Sequence, residues 1–475
     1  MSQADFDVIV IGGGVNGLTA ASYLAKAGAR VLVLERKGEC GAHSATDEPG
    51  IPGFLHNLHA TWMITAISPV MEDLELEKYG LETVMTDYVY GKTFLDGKCS
   101  LLGVDPRDTI QNWMKISEKD AQTVIEMSSV LLEKWQDVLT YTHNFLFTAP
   151  KWEILNDVLL MIGDLAKKMG INISVDDAVA MNGFQVLDLI FESDYIKTLL
   201  ASLSWIGGFP PIHRRVGTVG CAVLAAMAGP VFPVHQFKGG SHMLTHALVK
   251  SCISNGVKIL SNCPVEKILV EKGKVKGVEL SKSALYPGER ISSERIISDL
   301  SLVPTFALIG EDNLDPAISS MIKRFYYDEQ VLFGVHYALK EAPVWSSSDF
   351  DPGIQRCFMG YFGGETQDEL KRFAVNLISG EIQEEIMANW FVPTLADPSQ
   401  APAGCHTAFV WLDVPPSPIR WGKRRLEDGF QIWDKIKSEL ATEITNTFER
   451  YAPGFKKNIL DVFVYSPLDT YRNNP

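Results

Sequence analysis

Between Asp7 and Glu35 the chain reads DVIVIGGGVNGLTAASYLAKAGARVLVLE. Few folds accommodate such a stretch. Val8 to Ile11 is a short apolar run, as expected of a strand buried on both faces in a parallel sheet. Gly12, Gly14 and Gly17 follow at the G-x-G-x-x-G spacing. Leu18 to Ala27 favours a helix, Gly28 stops it, and a second apolar run, Val31 to Leu34, ends in Glu35. Each part has a mechanical reason. Gly12 permits a sharp turn, Gly14 lets backbone approach a pyrophosphate, and Gly17 lets helix and strand pack closely. Gly12, Gly13, Gly14, Val15, Asn16 and Gly17 are thus expected around the phosphates of a dinucleotide, at a helix N-terminus with free N–H groups. Glu35 stands where a carboxylate takes ribose hydroxyls. An ordinary glycine-rich βαβ turn would leave that acid unexplained.

The chain has 475 residues, too many for one core, so two or three domains are expected. Its net charge of −15, with no long basic run, argues against nucleic acid and against electrostatic attraction to anionic lipid. The seven cysteines are scattered and never in C-x-x-C spacing, so neither a disulfide framework nor a metal site is expected. A reducing cytoplasm fits best. The first strand begins at about Asp7, leaving no room for a signal peptide, and no apolar run approaches the ~18 residues of a membrane span.

After Glu35 and Arg36 comes a loop-like stretch punctuated by Gly41, Gly50 and Gly53. It contains Gly41-Ala42-His43 and Gly53-Phe54-Leu55-His56-Asn57-Leu58-His59. Farther on, Phe237-Lys238-Gly239-Gly240-Ser241 leads into a helix over Met243 to Ser254. Strand-like runs follow at Val257–Leu260, Val265–Val270 and Val275–Leu280, then Arg295–Ser298. Asp397-Pro398-Ser399-Gln400-Ala401-Pro402 precedes another strand around Thr407–Leu412. Together these residues resemble the phytoene desaturase branch of the FAD-dependent amine oxidase superfamily. The chain departs from that pattern at Ala42, where a second glycine is usual, and at His59, where a glycine usually lies beside the flavin. The resemblance implies FAD as cofactor, with Arg36, Ala42, His43 and Val265 among its contacts. It also places His59 close to the isoalloxazine. A nicotinamide enzyme would not need a β-meander returning to the same domain.

The fold class expected is α/β: a discontinuous Rossmann-like FAD domain with an α+β substrate domain of mixed helices and sheet. Residues 1–70 and 231–305 would form the FAD domain, 71–230 a helical substrate or lid domain, and 306–475 a sheet with helices. In the helical part, Ser117-x-x-Asp120 resembles a capping box. Val124, Met127, Leu131, Trp135 and Val138 recur at helical spacing. Trp152–Lys168 is a second amphipathic segment, read as core, with peripheral membrane contact as the alternative. Val331–Leu339 reads as a strand; Asp368–Asn389 and Asp428–Tyr451 read as helices.

What the resemblance implies chemically is hydride transfer from a substrate carbon to FAD. An apolar, isoprenoid substrate such as a monoterpene would then be desaturated, or hydroxylated with water-derived oxygen. Trp62, Trp205, Phe209 and Trp411 are candidate aromatic faces for a developing cation. His59, His213 and His406 are candidate bases by residue type. In the family a last strand and helix follow an "S/T-P-x-D" segment, here Ser466-Pro467-Leu468-Asp469. Their absence before Pro475 implies a second polypeptide, as in limonene dehydrogenases built from two different chains, alongside truncation and divergence as alternatives. A quinone, an electron-transfer flavoprotein or oxygen would accept the electrons. Two other readings stay open: a carotenoid desaturase, isomerase or amine oxidase-like enzyme acting alone, and a non-catalytic escort protein of the same fold. The intact fingerprint glycines and Glu35 count against the last.

Overall fold

The computed structural model describes residues 4–474 apart from 134–139, 141–166, 168–169, 171–173, 175–179, 207–209 and 213–234. A four-stranded parallel sheet is built from strand β1 (Val8–Ile11), strand β2 (Val31–Leu34), an outer strand Lys258–Leu260 beside β2, and an outer strand Ile296–Ser298 beside β1. Side chains alternate across it. Val8, Val10, Val31 and Val33 face helix α1 (Val15–Lys26) and the helix His242–Ser254, while Ile9, Ile11, Leu32 and Leu34 face the other way. That second face is covered by an antiparallel meander of Val265–Glu271, Lys274–Leu280 and Arg290–Ser292, through Ile268, Val278, Leu280 and Ile291. Burial on both faces is why both inner strands are unbroken apolar runs. Small residues at Ala21, Ser22, Ala247 and Ser251 let the two helices approach closely.

A second sheet has seven strands, in the order Ile459–Tyr465, Val331–Leu339, His406–Val414, Ala388–Phe391, Met359–Phe362, Tyr88–Thr93, Cys99–Gly103. All neighbours are antiparallel except Met359–Phe362 with Tyr88–Thr93. The helix Trp433–Tyr451 buries Ile436, Leu440, Ile444 and Phe448 at the spacing of one helical face, joining the same core as the sheet.

Several expectations need correction. The stretch 71–230, read as helical, contributes the hairpin Tyr88–Thr93 and Cys99–Gly103 to this sheet. The helix expected over Asp368–Asn389 ends at Ile378. Gly380 then takes φ +80°, and the chain continues into strands Glu381–Ile382 and Ala388–Phe391. The capping box is half formed. Ser117 accepts from the Asp120 N–H at 3.1 Å, but the Asp120 carboxylate instead accepts from the N–H groups of Glu192 and Ser193, both at 2.9 Å. That contact fixes the start of the helix Asp194–Ile206. Trp135, Val138, Phe209, His213 and nearly all of Trp152–Lys168 lie outside the described residues. Among the described residues, no helix is long and apolar enough to cross a membrane.

Candidate cofactor and substrate site

Leaving β1, the chain turns at Gly12 with φ +99°, a conformation that suits glycine. A Cβ on Gly17 would lie 2.5 Å from the Gly12 carbonyl oxygen, so close packing of turn and helix requires glycine there. Gly14 is the N-cap of α1 and offers no side chain to its free amides; Val15 and Asn16 begin the helix. Glu35, buried at the end of β2, accepts from the Gly13 N–H at 2.8 Å through one oxygen and from the Lys37 N–H at 2.8 Å through the other. The acid and the glycine turn therefore meet. Asp299, at the end of the outer strand Ile296–Ser298, brings a second carboxylate to the same turn.

The loop after β2 stays beside the fingerprint. The Gly41 N–H donates to the Gly13 carbonyl at 2.9 Å, and Ala42 adopts φ +49° where the resembling family has its second glycine. Arg36 donates to the Asn473 carbonyl, and Lys37 to the Asn473 side chain. His43 packs on His59 with ring centroids 4.3 Å apart, and His59 meets the edge of Tyr465 at 5.4 Å. Trp62 is half-buried against the core of the seven-stranded sheet, not against β1 and β2. Val265 opens the meander opposite Leu280.

Three separated motifs are tied into one network. Asn57 donates to the Gln400 side-chain oxygen at 2.9 Å and accepts from the Ser241 N–H at 2.8 Å. Gln400 donates to Asp397 at 3.0 Å, and Asp397 accepts from the Gly239 N–H at 2.6 Å. The Gly239-Gly240 turn, the loop ending at His59 and the Asp397–Pro402 turn are thereby locked together. These polar partners were not among the candidate site residues. Their signal was only the position of Asn57, Asp397 and Gln400 inside the resembling motifs.

The strand register gathers a set of polar groups on one face of the seven-stranded sheet. Phe409, Trp411 and Asp413 alternate along one strand, with His336 opposite Phe409, Asn389 opposite Trp411 and Tyr361 opposite Asn389. Tyr90 donates to Asn389 at 2.7 Å. His56 contacts His336 edge-on at 5.6 Å, joining this face to the loop. Phe409 stacks on His336 and on Phe391. Both nitrogens of His336, Nδ1 of His56, Nε2 of His59 and the Tyr361 hydroxyl are buried without a hydrogen-bond partner among the described residues. Burial pushes His56 down to about 4 and His59 to about 3, and His336 well below the usual histidine range. Burial raises Asp413 to about 7, with the Asp328 charge adding to it. Of the candidate bases, His406 lies apart from the imidazole group, its Nδ1 at 3.0 Å from the Thr394 hydroxyl. Trp205 is engaged with Gln330 and Phe373.

This chain's own groups fit a dinucleotide ending in a flavin. Gly14 places no side chain of its own over the start of α1, Glu35 meets the glycine turn at the Gly13 amide, and the adjoining loop brings unpaired imidazole nitrogens against an aromatic sheet. Fold and site together define a dinucleotide-binding oxidoreductase with a separate substrate sheet. The comparisons agree. The family model "NAD(P)-binding Rossmann-like domain" matches residues 10–74. One of the limonene dehydrogenase subunits of Castellaniella defragrans is 28% identical over 425 residues, covering 87% of this chain and 74% of that protein. A 4,4'-diapophytoene desaturase of Staphylococcus aureus is 22% identical, covering 97% of this chain and 85% of that one. The solved structure of wild-type putrescine oxidase bound to putrescine shares the fold, with a TM-score of 0.55 at 15% identity over 97% of this chain and 84% of that chain. The chain thus carries a Rossmann-like dinucleotide-binding domain and is similar over most of its length to oxidoreductases of the phytoene desaturase-like kind.

Proposed function

We propose that this chain is the FAD-holding subunit of an enzyme that removes hydride from an apolar, isoprenoid carbon, a monoterpene of the limonene type being the first candidate. The observation that carries the reading is the buried face of Phe409, Trp411, Phe391 and His336, met through His56 by the loop that continues from the fingerprint. An aromatic, water-poor surface suits an apolar substrate and a delocalised cation. Bound FAD supplies the hydride acceptor. Gly12 to Gly17, Glu35, Arg36, Ala42, His43 and Val265 would hold the dinucleotide, while His59 and Trp62 would border the reacting end. Burial keeps the imidazoles of His56, His59 and His336 neutral, so they line this region without placing charge in the core. Asp413, raised to about 7, is the carboxyl on this face able to take or give a proton near neutrality.

A second polypeptide completes the enzyme in this reading. The relative named as a subunit supports it, and so does one unfinished side of the parallel sheet. Strand Ile296–Ser298 pairs only with β1, among the described residues, and its outer edge is free. The helices after it, Leu302–Ile309 and Pro316–Lys323, are apolar yet bury no residue. Met321, Tyr326 and Tyr327 are 67%, 68% and 60% exposed. A strand and helix from another chain would cover both the edge and the apolar surface. Electrons would pass on to a quinone, an electron-transfer flavoprotein or oxygen. The test is anaerobic mixing of the FAD-loaded protein and its co-expressed neighbour with limonene, followed by absorbance. Bleaching of the oxidised flavin band is expected. A band unmoved by limonene and by other apolar isoprenoids, but bleached by amines, would replace this reading with an amine oxidase.

A further inference from the structure

We propose that Asp299 is a built-in rival of the cofactor's pyrophosphate, and that the chain binds an anionic dinucleotide only as this carboxylate gives way. The inference rests on the reading of residues 12–17 as an FAD site. The outer strand Ile296–Ser298 delivers Asp299 to the mouth of the fingerprint, and the Asp299 N–H donates to the Ile11 carbonyl at 2.8 Å. That bond extends the β1 pairing by one residue and fixes the Asp299 backbone beside the turn. From there the side chain reaches across all three fingerprint glycines. Its Cβ is 3.1 Å from the place a Cβ on Gly12 would occupy, and 3.0 Å from that on Gly17. Its Oδ2 is 2.3 Å from the corresponding point on Gly14 and 2.9 Å from that on Gly17.

The carboxylate therefore sits where a helix N-terminus attracts an anion. Burial, with the Glu35 charge, raises the Asp299 carboxyl above its usual range, and the Gly17 and Gly14 amides work against that rise by favouring the charged form. In effect Asp299 caps α1 from another strand, because the N-cap residue, Gly14, has no side chain to do so. With Glu35 on the Gly13 amide, two carboxylates already face the turn that must take a pyrophosphate. A third set of negative charges meets repulsion from Asp299 until that side chain rotates away or is neutralised. The cost falls on phosphate and spares a neutral nucleoside.

This difference gives the test. Dissociation constants for FAD, ADP and adenosine are measured on the full chain and on Asp299→Asn, with thermal denaturation as a control for folding. Asn caps helices about as well as Asp, so the fold should persist. Asp299→Ser is the second variant should Asn disturb the turn. The expected result is that FAD and ADP bind about tenfold or more tightly to the variant, while adenosine changes by no more than about twofold. Equal or weaker binding of FAD and ADP by both variants, with the parent chain binding FAD, overturns the rivalry and leaves the FAD site standing. Equal tightening of adenosine also overturns it, since steric relief would then be the cause. Failure of FAD and ADP to bind any of the three proteins removes the FAD reading itself, and this inference with it.

Discussion

Strand β1 with helix α1, and strand Ile296–Ser298 with helix Leu302–Ile309, are neighbouring units of one parallel sheet. They stand in opposite conditions. In the first, the strand is buried throughout, and α1 buries Gly17, Leu18, Ala21 and Ser22 against the helix His242–Ser254. In the second, the strand is half-buried, and LVPTFALI, the more apolar helix sequence, buries nothing. Leu308 and Ile309 lean on the edge of the meander, but Leu302 and the following Met321, Phe325, Tyr326 and Tyr327 face outward. Apolar content therefore does not decide which helix is covered. The presence of a neighbour does, and among the described residues none covers the second unit.

The largest expected effect tests the covered half. Leu18→Ala should lower the unfolding free energy in urea by about 2–5 kcal/mol, because Leu18 is fully buried. Leu302→Ala should cost no more than about 0.5 kcal/mol in the chain alone. Comparable losses would mean that Leu302–Ile309 is packed as α1 is, and the contrast would collapse.

Next comes acid sensitivity of the imidazole group. The native values of His56 and His59, about 4 and about 3, lie below the unfolded value of about 6.5. The unfolded chain then binds more protons between those limits. Their contribution to stability is complete above about pH 6.5 and is lost as pH falls through 4 towards 3. Replacing His56 with Gln should flatten the stability profile between pH 7 and pH 4 by about 2–3 kcal/mol. A profile as steep as that of the parent chain would show that His56 is solvated.

The smallest effect in free energy is the most informative for the open half. Met321→Ser with Tyr326→Ser should weaken association with the proposed second subunit at least about tenfold, or roughly 1.4 kcal/mol. Flavin occupancy and melting temperature of the chain alone should not move. An unchanged affinity, measured by calorimetry, would direct the search for the interface elsewhere.

The parallel sheet was legible from sequence because β1, β2 and their glycine turn depend on local spacing: burial on both faces writes itself as an apolar run. The strand Val331–Leu339 has the bounds expected from sequence. The substrate sheet was harder to read. Tyr88–Thr93 lies among helices in sequence and joins its partners through contacts more than 250 residues away, as with Gly91 and Gly360. Glu35 could be placed by counting from Gly17; Asp299 could not, since it reaches the turn only by parallel pairing with β1. His336 and Asp413 were not singled out from sequence, each being one polar residue in or beside an apolar run. Only the register puts them on the face shared with Trp411 and Phe409.

The most direct measurement is the flavin stoichiometry of the purified chain and of Gly14→Val after titration with FAD. At position 14 an added Cβ would lie 2.3 Å from the Asp299 carboxylate, in the space a pyrophosphate needs. The account predicts about one FAD per chain for the parent protein, and a folded Gly14→Val variant that stays colourless. Equal flavin in both, or none in the parent chain even with the proposed second subunit present, would contradict it.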